Sequence, residues 1–115
     1  MSKTPAPPRG TKASGRRLWV DVVRRFELDE HELAMLREAC RTVDQLDVLA
    51  GILATEGLIH GDRPHPALVE SRQLRIVLTR LLASLRLPDE AMVRPQHRGR
   101  ARGAYGAAVT PLRGA

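Results

Sequence analysis

Two apolar stripes of helical period, separated by a short break rich in glycine and proline, constrain this chain more than any other feature. Leu33, Leu36, Cys40, Val43, Leu46, Ala50 and Leu53 follow one another at alternating steps of three and four. That spacing lines a single face of an α-helix. Leu74, Val77, Leu78, Leu81, Leu82 and Leu85 form a second stripe. The boundaries are marked as well. Asp29 stands where a helix wants its N-cap, and Glu32 follows three residues later, completing a capping box with Leu28 and Leu33 as a hydrophobic staple. Gly57 is placed to end that helix as a C′ glycine. Pro66 suits the first position of the next helix, expected to run to about Arg86, and Pro88 stops it. The first of these helices would be roughly 40 Å long at 1.5 Å per residue. Residues 57–65 (GLIHGDRPH) are too few for anything but a return, so the two helices are expected to form an antiparallel hairpin.

A shorter helix is expected upstream, from about Gly15 to Phe26. Trp19, Val22, Val23 and Phe26 fall on one face, with Arg16, Arg17, Arg24 and Arg25 largely off it. The expectation is therefore an all-α fold: a long antiparallel helical hairpin plus a short N-terminal helix. Residues 1–14 are rich in Pro and Lys without periodicity and read as a disordered basic arm. Residues 15–88 form the helical domain, and residues 89–115 read as a flexible basic tail. The stripe positions Leu36, Val43, Leu46, Leu53, Leu74, Leu78, Leu81 and Leu85 are the expected core and assembly surface. Only Trp19, Phe26 and Tyr105 are aromatic, so that core is aliphatic, which favours helix over sheet. The hairpin is smaller than the roughly 70–80 residues at which one core suffices, and two helices cannot cover both stripes, so a homo-oligomer is expected.

Charge divides the chain into three. Residues 1–25 carry seven cations against Asp21 alone, residues 26–90 carry seven arginines against twelve acids, and residues 91–115 carry five arginines and no acid. Basic arms around an acidic centre are the electrostatic footprint of a polyanion partner, usually nucleic acid. Charged tails that only maintain solubility are the bland alternative. The candidate phosphate contacts are Lys12, Arg16, Arg17, Arg24 and Arg25. Arg98, Arg100, Arg102 and Tyr105 mark a tail that meets either DNA or a protein partner. Stacking readout is not expected from so few aromatics. A helix-turn-helix made of the Gly15–Phe26 helix and the start of the helix after Asp29 would turn Glu30, Glu32 and Glu38 toward phosphates, so the Gly15–Phe26 helix and the arms are the expected DNA surface.

Catalytic and metal chemistry find little support. His60, Asp62 and His65 are the only ligand-like cluster, and they lie on a Gly/Pro loop without a fourth partner, so a polar turn with His65 near a helix cap is the expectation. Neither Ser71 nor Ser84, both mid-helix, has a triad around it. Carboxylate pairs such as Glu30/Glu32 and Asp44/Asp47 read as solvated helix charges or partners for Arg37 and Arg41. No enzyme activity, cofactor or metal is expected. Cys40 reads as a packing residue, and no apolar run spans a membrane or forms a secretory signal, so a reducing cytoplasm is the expected compartment.

The ordered set of residues resembles a family. Gly15-Arg16-x-Leu18-Trp19, Phe26-Glu27-Leu28-Asp29-Glu30-His31-Glu32-Leu33, Glu38-Ala39-Cys40-Arg41-Thr42, His65-Pro66-Ala67-Leu68 with Glu70 and Arg72, and Leu82-Ala83-Ser84-Leu85-Arg86-Leu87-Pro88 are similar to stretches of actinobacteriophage terminase small subunits. The Arg98–Gly106 run resembles the arginine–glycine tails of some relatives. The resemblance covers about residues 15–106. It implies a non-enzymatic DNA-packaging protein, assembled as a ring of about eight or more copies. Such a ring binds viral double-stranded DNA and regulates a large subunit that carries the ATPase and nuclease. It also implies the host bacterial cytoplasm as the site of action, outside the mature virion. Two departures stand out. Arg86 occupies a position where relatives often have glycine, implying a less sharp helix end, and the Gly61-Asp62-Arg63 turn leaves little room for a β-hairpin. A small dimeric helical DNA-binding regulator or nucleoid-type protein is the alternative, and a protein–protein adaptor with merely solvated arms is a third.

Overall fold

The structure, a computed structural model of the chain, describes residues 4–88 and the backbone of residues 100 and 101. Three helices carry it: α1 (Ala13–Arg25), α2 (Glu30–Glu56) and α3 (Pro66–Leu85). Two-residue strands fill the joints, β1 (Phe26–Glu27), β2 (Ile59–His60) and β3 (Arg63–Pro64), and a fourth, β4 (Arg100–Ala101), follows α3 in the chain. The all-α hairpin with a short N-terminal helix is the architecture.

The start of α2 forms as its sequence dictates. The Asp29 side chain accepts from the N3 backbone, and the backbone N–H of Asp29 donates to Glu32 Oε1 at 2.7 Å. Glu32 is buried by this role, so it is not one of the solvated helix charges it resembled in the sequence. Gly57, at φ 86°, donates its N–H to the Leu53 carbonyl and ends the helix. The return to α3 holds a β-hairpin for which the sequence offers little room. β2 and β3 pair antiparallel, Ile59 opposite Pro64 and His60 opposite Arg63, around a two-residue loop of Gly61 and Asp62. Two residues suffice because Gly61 adopts φ 72° at the first loop position while Asp62 keeps an ordinary negative φ, the pattern of a type II′ hairpin turn. His65 then caps α3, its Nδ1 accepting from the Ala67 N–H at 2.9 Å.

The other end of α3 also departs from expectation. Arg86 takes the left-handed conformation (φ 52°, ψ 46°) and donates its N–H to the Ala83 carbonyl, so the helix ends as abruptly as glycine would end it. The cost of that conformation for a non-glycine residue, about 1 kcal/mol, is offset by what it positions. Leu85 is fully buried beside it, and Leu87 packs on the same cluster.

The core sits at one end of the hairpin. Trp19, Val22, Val23 and Phe26 from the α1–β1 segment meet Leu36 and Cys40 of α2 and Leu85 of α3, all nearly inaccessible to solvent. Burying each of the larger apolar side chains contributes about 1.5–3 kcal/mol. Ala39 and Thr42 of α2 and Ala67 and Ser71 of α3 are buried as well, all of them small side chains. The hydroxyls of Thr42 and Ser71 are satisfied by the carbonyls of Glu38 and Ala67, one turn back in their own helices. Of the expected stripe, Leu36 and Leu85 are fully buried, whereas Val43, Leu46, Leu53, Leu74, Leu78 and Leu81 are half-buried. Two helices alone leave one side of each stripe uncovered, and α1 covers only the first half of α2.

The N-terminal boundary moves. Most of the segment expected to be a disordered arm is placed against the helices, because three backbone groups in it find partners. The Trp19 Nε1–H donates to the Pro5 carbonyl at 3.0 Å, Thr11 turns back onto the Pro8 carbonyl, and the Lys12 N–H donates to Asp44 Oδ2 at 2.7 Å. Residues 4–12 thus form a strap leading into α1, which starts two residues earlier than the periodicity indicates. The C-terminal tail expected over 89–115 lies outside the described residues. The exception is β4, whose backbone pairs antiparallel with β1, Phe26 opposite Ala101 and Glu27 opposite Arg100.

Candidate nucleic-acid interface

The candidate interface begins with how α1 is held. Its N-cap position, Lys12, has no capping side chain, and its first turn contains no acid. Asp44 of α2 supplies both from a distance: Oδ1 accepts the Gly15 N–H and Oδ2 accepts the Lys12 N–H, each at 2.7 Å. One carboxylate therefore satisfies two orphan donors and places negative charge at the positive end of the helix dipole. The approach is close enough to require glycine. A Cβ on Gly15 would lie 2.7 Å from the Cys40 carbonyl oxygen and 2.7 Å from Asp44 Oδ2. Asp44 was expected to be a solvated charge or a partner for Arg37 or Arg41; instead Arg41 pairs with Glu38. Sequence reasoning missed this role because the bonds span 29 and 32 residues. The available signal was a helix start without a capping residue and with a glycine on its apolar side.

Held in this way, α1 presents a cationic outer face. Ala13, Arg16, Arg17, Val20, Asp21 and Arg24 line one open depression on the solvent side. Arg16, Arg17 and Arg24 are exposed, and Lys12 is exposed at the N-terminal end of the same helix. Arg17 reaches Ser14 Oγ at 3.5 Å, and neither Arg16 nor Arg24 has a side-chain partner among the described residues. Arg25 is different. It is half-buried, pairs with Asp21 at 3.2 Å, and stacks its guanidinium 5.1 Å from the Phe26 ring centroid. Of the five expected phosphate contacts, four are therefore free to face a ligand and the fifth is engaged. Arg98, Arg102 and Tyr105 lie outside the described residues, as does the side chain of Arg100.

The loop cluster resolves into local structure. His65 is buried, and because Nδ1 accepts from Ala67, its proton resides on Nε2, which donates to Glu56 Oε1 at 2.7 Å. His60 packs edge-on against it, ring centroids 5.4 Å apart. This arrangement ties the end of α2 to the start of α3 as a helix cap. Asp29, His31 and Glu32 also offer ligand atoms within 4.8 Å of one another. They stand at the N-terminus of α2, where the helix dipole repels a cation and both carboxylates already serve the capping box. The Cys40 thiol is pushed up from the usual 9.0 to about 11, chiefly by burial and then by the Asp44 charge, against a lowering contact with the Trp19 backbone. A thiol so placed is a packing group. Among the described residues, no helix is long and apolar enough to cross a membrane.

Comparison of the chain with protein-family models, with curated proteins and with solved structures finds no match.

Proposed function

We propose that the protein is a non-enzymatic DNA-binding assembly subunit of the terminase small-subunit type. In this reading it acts in the cytoplasm of an infected bacterium and presents viral double-stranded DNA to a large subunit carrying the ATPase and nuclease. The observation that carries the DNA part is the outer face of α1. Arg16, Arg17 and Arg24 project from a helix fixed to the hairpin by Asp44 and by the Trp19–Val23–Phe26 core. Asp21 in the same depression is taken by Arg25, and Arg16, Arg17 and Arg24 make no ion pair among the described residues, which suits phosphate contacts that position a duplex without reading its sequence.

Assembly is supported by what the fold leaves uncovered. The outer side of α3 exposes Val69, Ile76 and Val77 beside Arg72, Arg75 and Arg80, and none of these arginines makes an ion pair among the described residues. Val48, Leu58 and Ile59 are each more than half exposed. So much aliphatic surface on a small hairpin suits packing against further copies. In a ring, the α3 arginines of one copy would face the acids of α2 in the next.

The test is duplex binding across salt. Replacing Arg16, Arg17 and Arg24 with Ala is expected to weaken binding strongly. It should also reduce the slope of log K against log salt by about 0.9 for each phosphate no longer neutralised. Arg25→Ala alone should change the slope little, since that side chain is occupied by Asp21 and Phe26. An unchanged slope in the triple variant overturns the assignment of α1.

A further inference from the structure

The strap does more than lead into α1. Between it and α2 lies an open groove of about 280 Å³, walled on one side by Pro8, Arg9 and Lys12 and on the other by Arg41, Gln45 and Val48. Arg9, Lys12, Arg41, Gln45 and Val48 are all exposed there. The one acid in the lining, Asp44, has each of its two carboxylate oxygens accepting a backbone N–H, from Lys12 and from Gly15. Its charge is partly offset by the helix terminus it caps, and the cations Arg9, Lys12 and Arg41 outnumber it in the lining. Arg41 is shared with Glu38 in a pair more than half exposed on both sides, an interaction that solvent screens and a ligand can displace.

We infer that this groove is a phosphate subsite for a nucleic-acid backbone. Arg9, Lys12 and Arg41 take the phosphates, Pro8 and Val48 take the sugar, and Asp44 acts as the positioning residue that holds the strap in place. The inference rests on the nucleic-acid reading of α1 and extends it to a second, non-helical element. Lys12 lines the groove and is the N-cap of α1, and Arg16 and Arg24 on the outer face of α1 follow it by four and twelve residues, about 6 and 18 Å along the helix axis. A cationic track of that length fits a ligand with one negative charge per repeating unit along a chain, rather than a compact anion. Pro8 and Val48, one on each wall beside the cations, fit the alternation of sugar and phosphate. Pre-ordering matters for strength: the strap is fixed by Trp19 and Asp44 before the ligand arrives, so little ordering entropy is lost on binding.

The role given to Asp44 runs against simple electrostatics, and that makes it testable. Asp44→Asn removes a negative charge from a cationic surface, which by itself strengthens polyanion binding. If Asp44 holds the strap, the same change weakens binding, because a neutral amide offers one acceptor oxygen where two N–H groups need partners. The experiment titrates the full chain into a short fluorescent duplex between about 50 and 200 mM salt, with far-UV circular dichroism as the folding control. The Arg9→Ala/Arg41→Ala double variant alters only exposed side chains. It is expected to bind at least about fivefold more weakly, with a salt slope smaller by about 1.8, two phosphates' worth. Asp44→Asn is expected to bind severalfold more weakly than wild type. Wild-type affinity and slope in the double variant, with binding abolished in the Arg16/Arg17/Arg24 triple variant, overturns the groove and leaves the α1 interface standing. Tighter binding by Asp44→Asn overturns its positioning role. Failure of the wild-type chain to bind duplex at the lowest salt overturns both the groove and the α1 reading. A double variant that keeps DNA but no longer binds a polyglutamate peptide shows an acidic-protein groove and overturns the phosphate assignment.

Discussion

Alanine in place of glycine within a helix ordinarily stabilises it, by about 1 kcal/mol, and this chain provides two helical glycines with opposite expected outcomes. Gly51 lies exposed in α2, and a Cβ there meets nothing within 4 Å. Gly51→Ala should therefore gain about 0.5–1 kcal/mol. Gly15 lies buried in α1 against α2, where a Cβ would stand 2.7 Å from the Cys40 carbonyl oxygen, 2.7 Å from Asp44 Oδ2 and 2.9 Å from Asp44 Cγ. A comfortable carbon–oxygen contact is about 3.3 Å or more, so α1 must retreat by roughly half an ångström. The carbonyl belongs to the α2 backbone and cannot swing away. Retreat stretches both 2.7 Å bonds to Asp44 and opens the Trp19–Val23 side of the core. Overpacking of this kind costs about 1–3 kcal/mol, and weakening a charge-assisted hydrogen bond adds to it. After subtracting the propensity gain, Gly15→Ala should lose about 1–3 kcal/mol. Thermal and urea unfolding followed by circular dichroism, at fixed protomer concentration, reads both variants. At about 4–8 °C per kcal/mol for a domain of this size, the two melting temperatures should move apart by well over 5 °C. If Gly15→Ala melts at or above Gly51→Ala, the close packing of α1 on α2, and the anchoring of the cationic face that depends on it, is refuted.

Other predictions concern the buried polar groups. His65→Ala should lower stability by about 1–3 kcal/mol through loss of the α3 cap and the Glu56 bond, and His65→Asn should recover the cap portion; denaturant midpoints decide this. Cys40 should resist thiol reagents in the native protein and react on unfolding. With its thiol raised to about 11, only about one molecule in a thousand carries the thiolate at pH 8. The same shift predicts a pH effect. Above 9.0 the unfolded chain releases this proton while the folded chain retains it, so the contribution is complete below pH 9 and is lost as pH rises through about 11. Relative to Cys40→Ala, wild-type stability should fall by on the order of 2 kcal/mol over that interval.

The parts of the fold legible in the sequence are those governed by near neighbours. The Asp29–Glu32 capping box, the Gly57 stop and Pro66 at the start of α3 all act within a few residues and appear where expected, whereas the stripes are helical as expected but leave Ala50, Val77 and Leu82 exposed. The position of α1 was legible from Trp19, Val22, Val23 and Phe26 for the same reason. What the sequence concealed is non-local or depends on backbone conformation. Asp44 looks like any solvated acid until Gly15 brings α1 within reach of it. Pro5 and Lys12 look like parts of a free arm until Trp19 and Asp44 bond to them. Gly61 reads as a turn residue, but its positive φ is what allows two residues to close a hairpin. In the candidate site, charge alone marked Lys12, Arg16, Arg17, Arg24 and Arg25. Charge could not separate Arg25, held by Asp21 and Phe26, from the others, nor add Arg9 and Arg41, which only the folded strap brings together.

The central claim is that this hairpin functions as a multi-copy DNA-binding assembly, and the native mass of the purified chain tests it most directly. Light scattering or native mass spectrometry should show one closed species of about eight or more copies, the stoichiometry of the proposed ring. A monomer or a dimer as the only species across concentration would contradict the account, and a dimer would favour a regulator binding DNA through paired α1 faces.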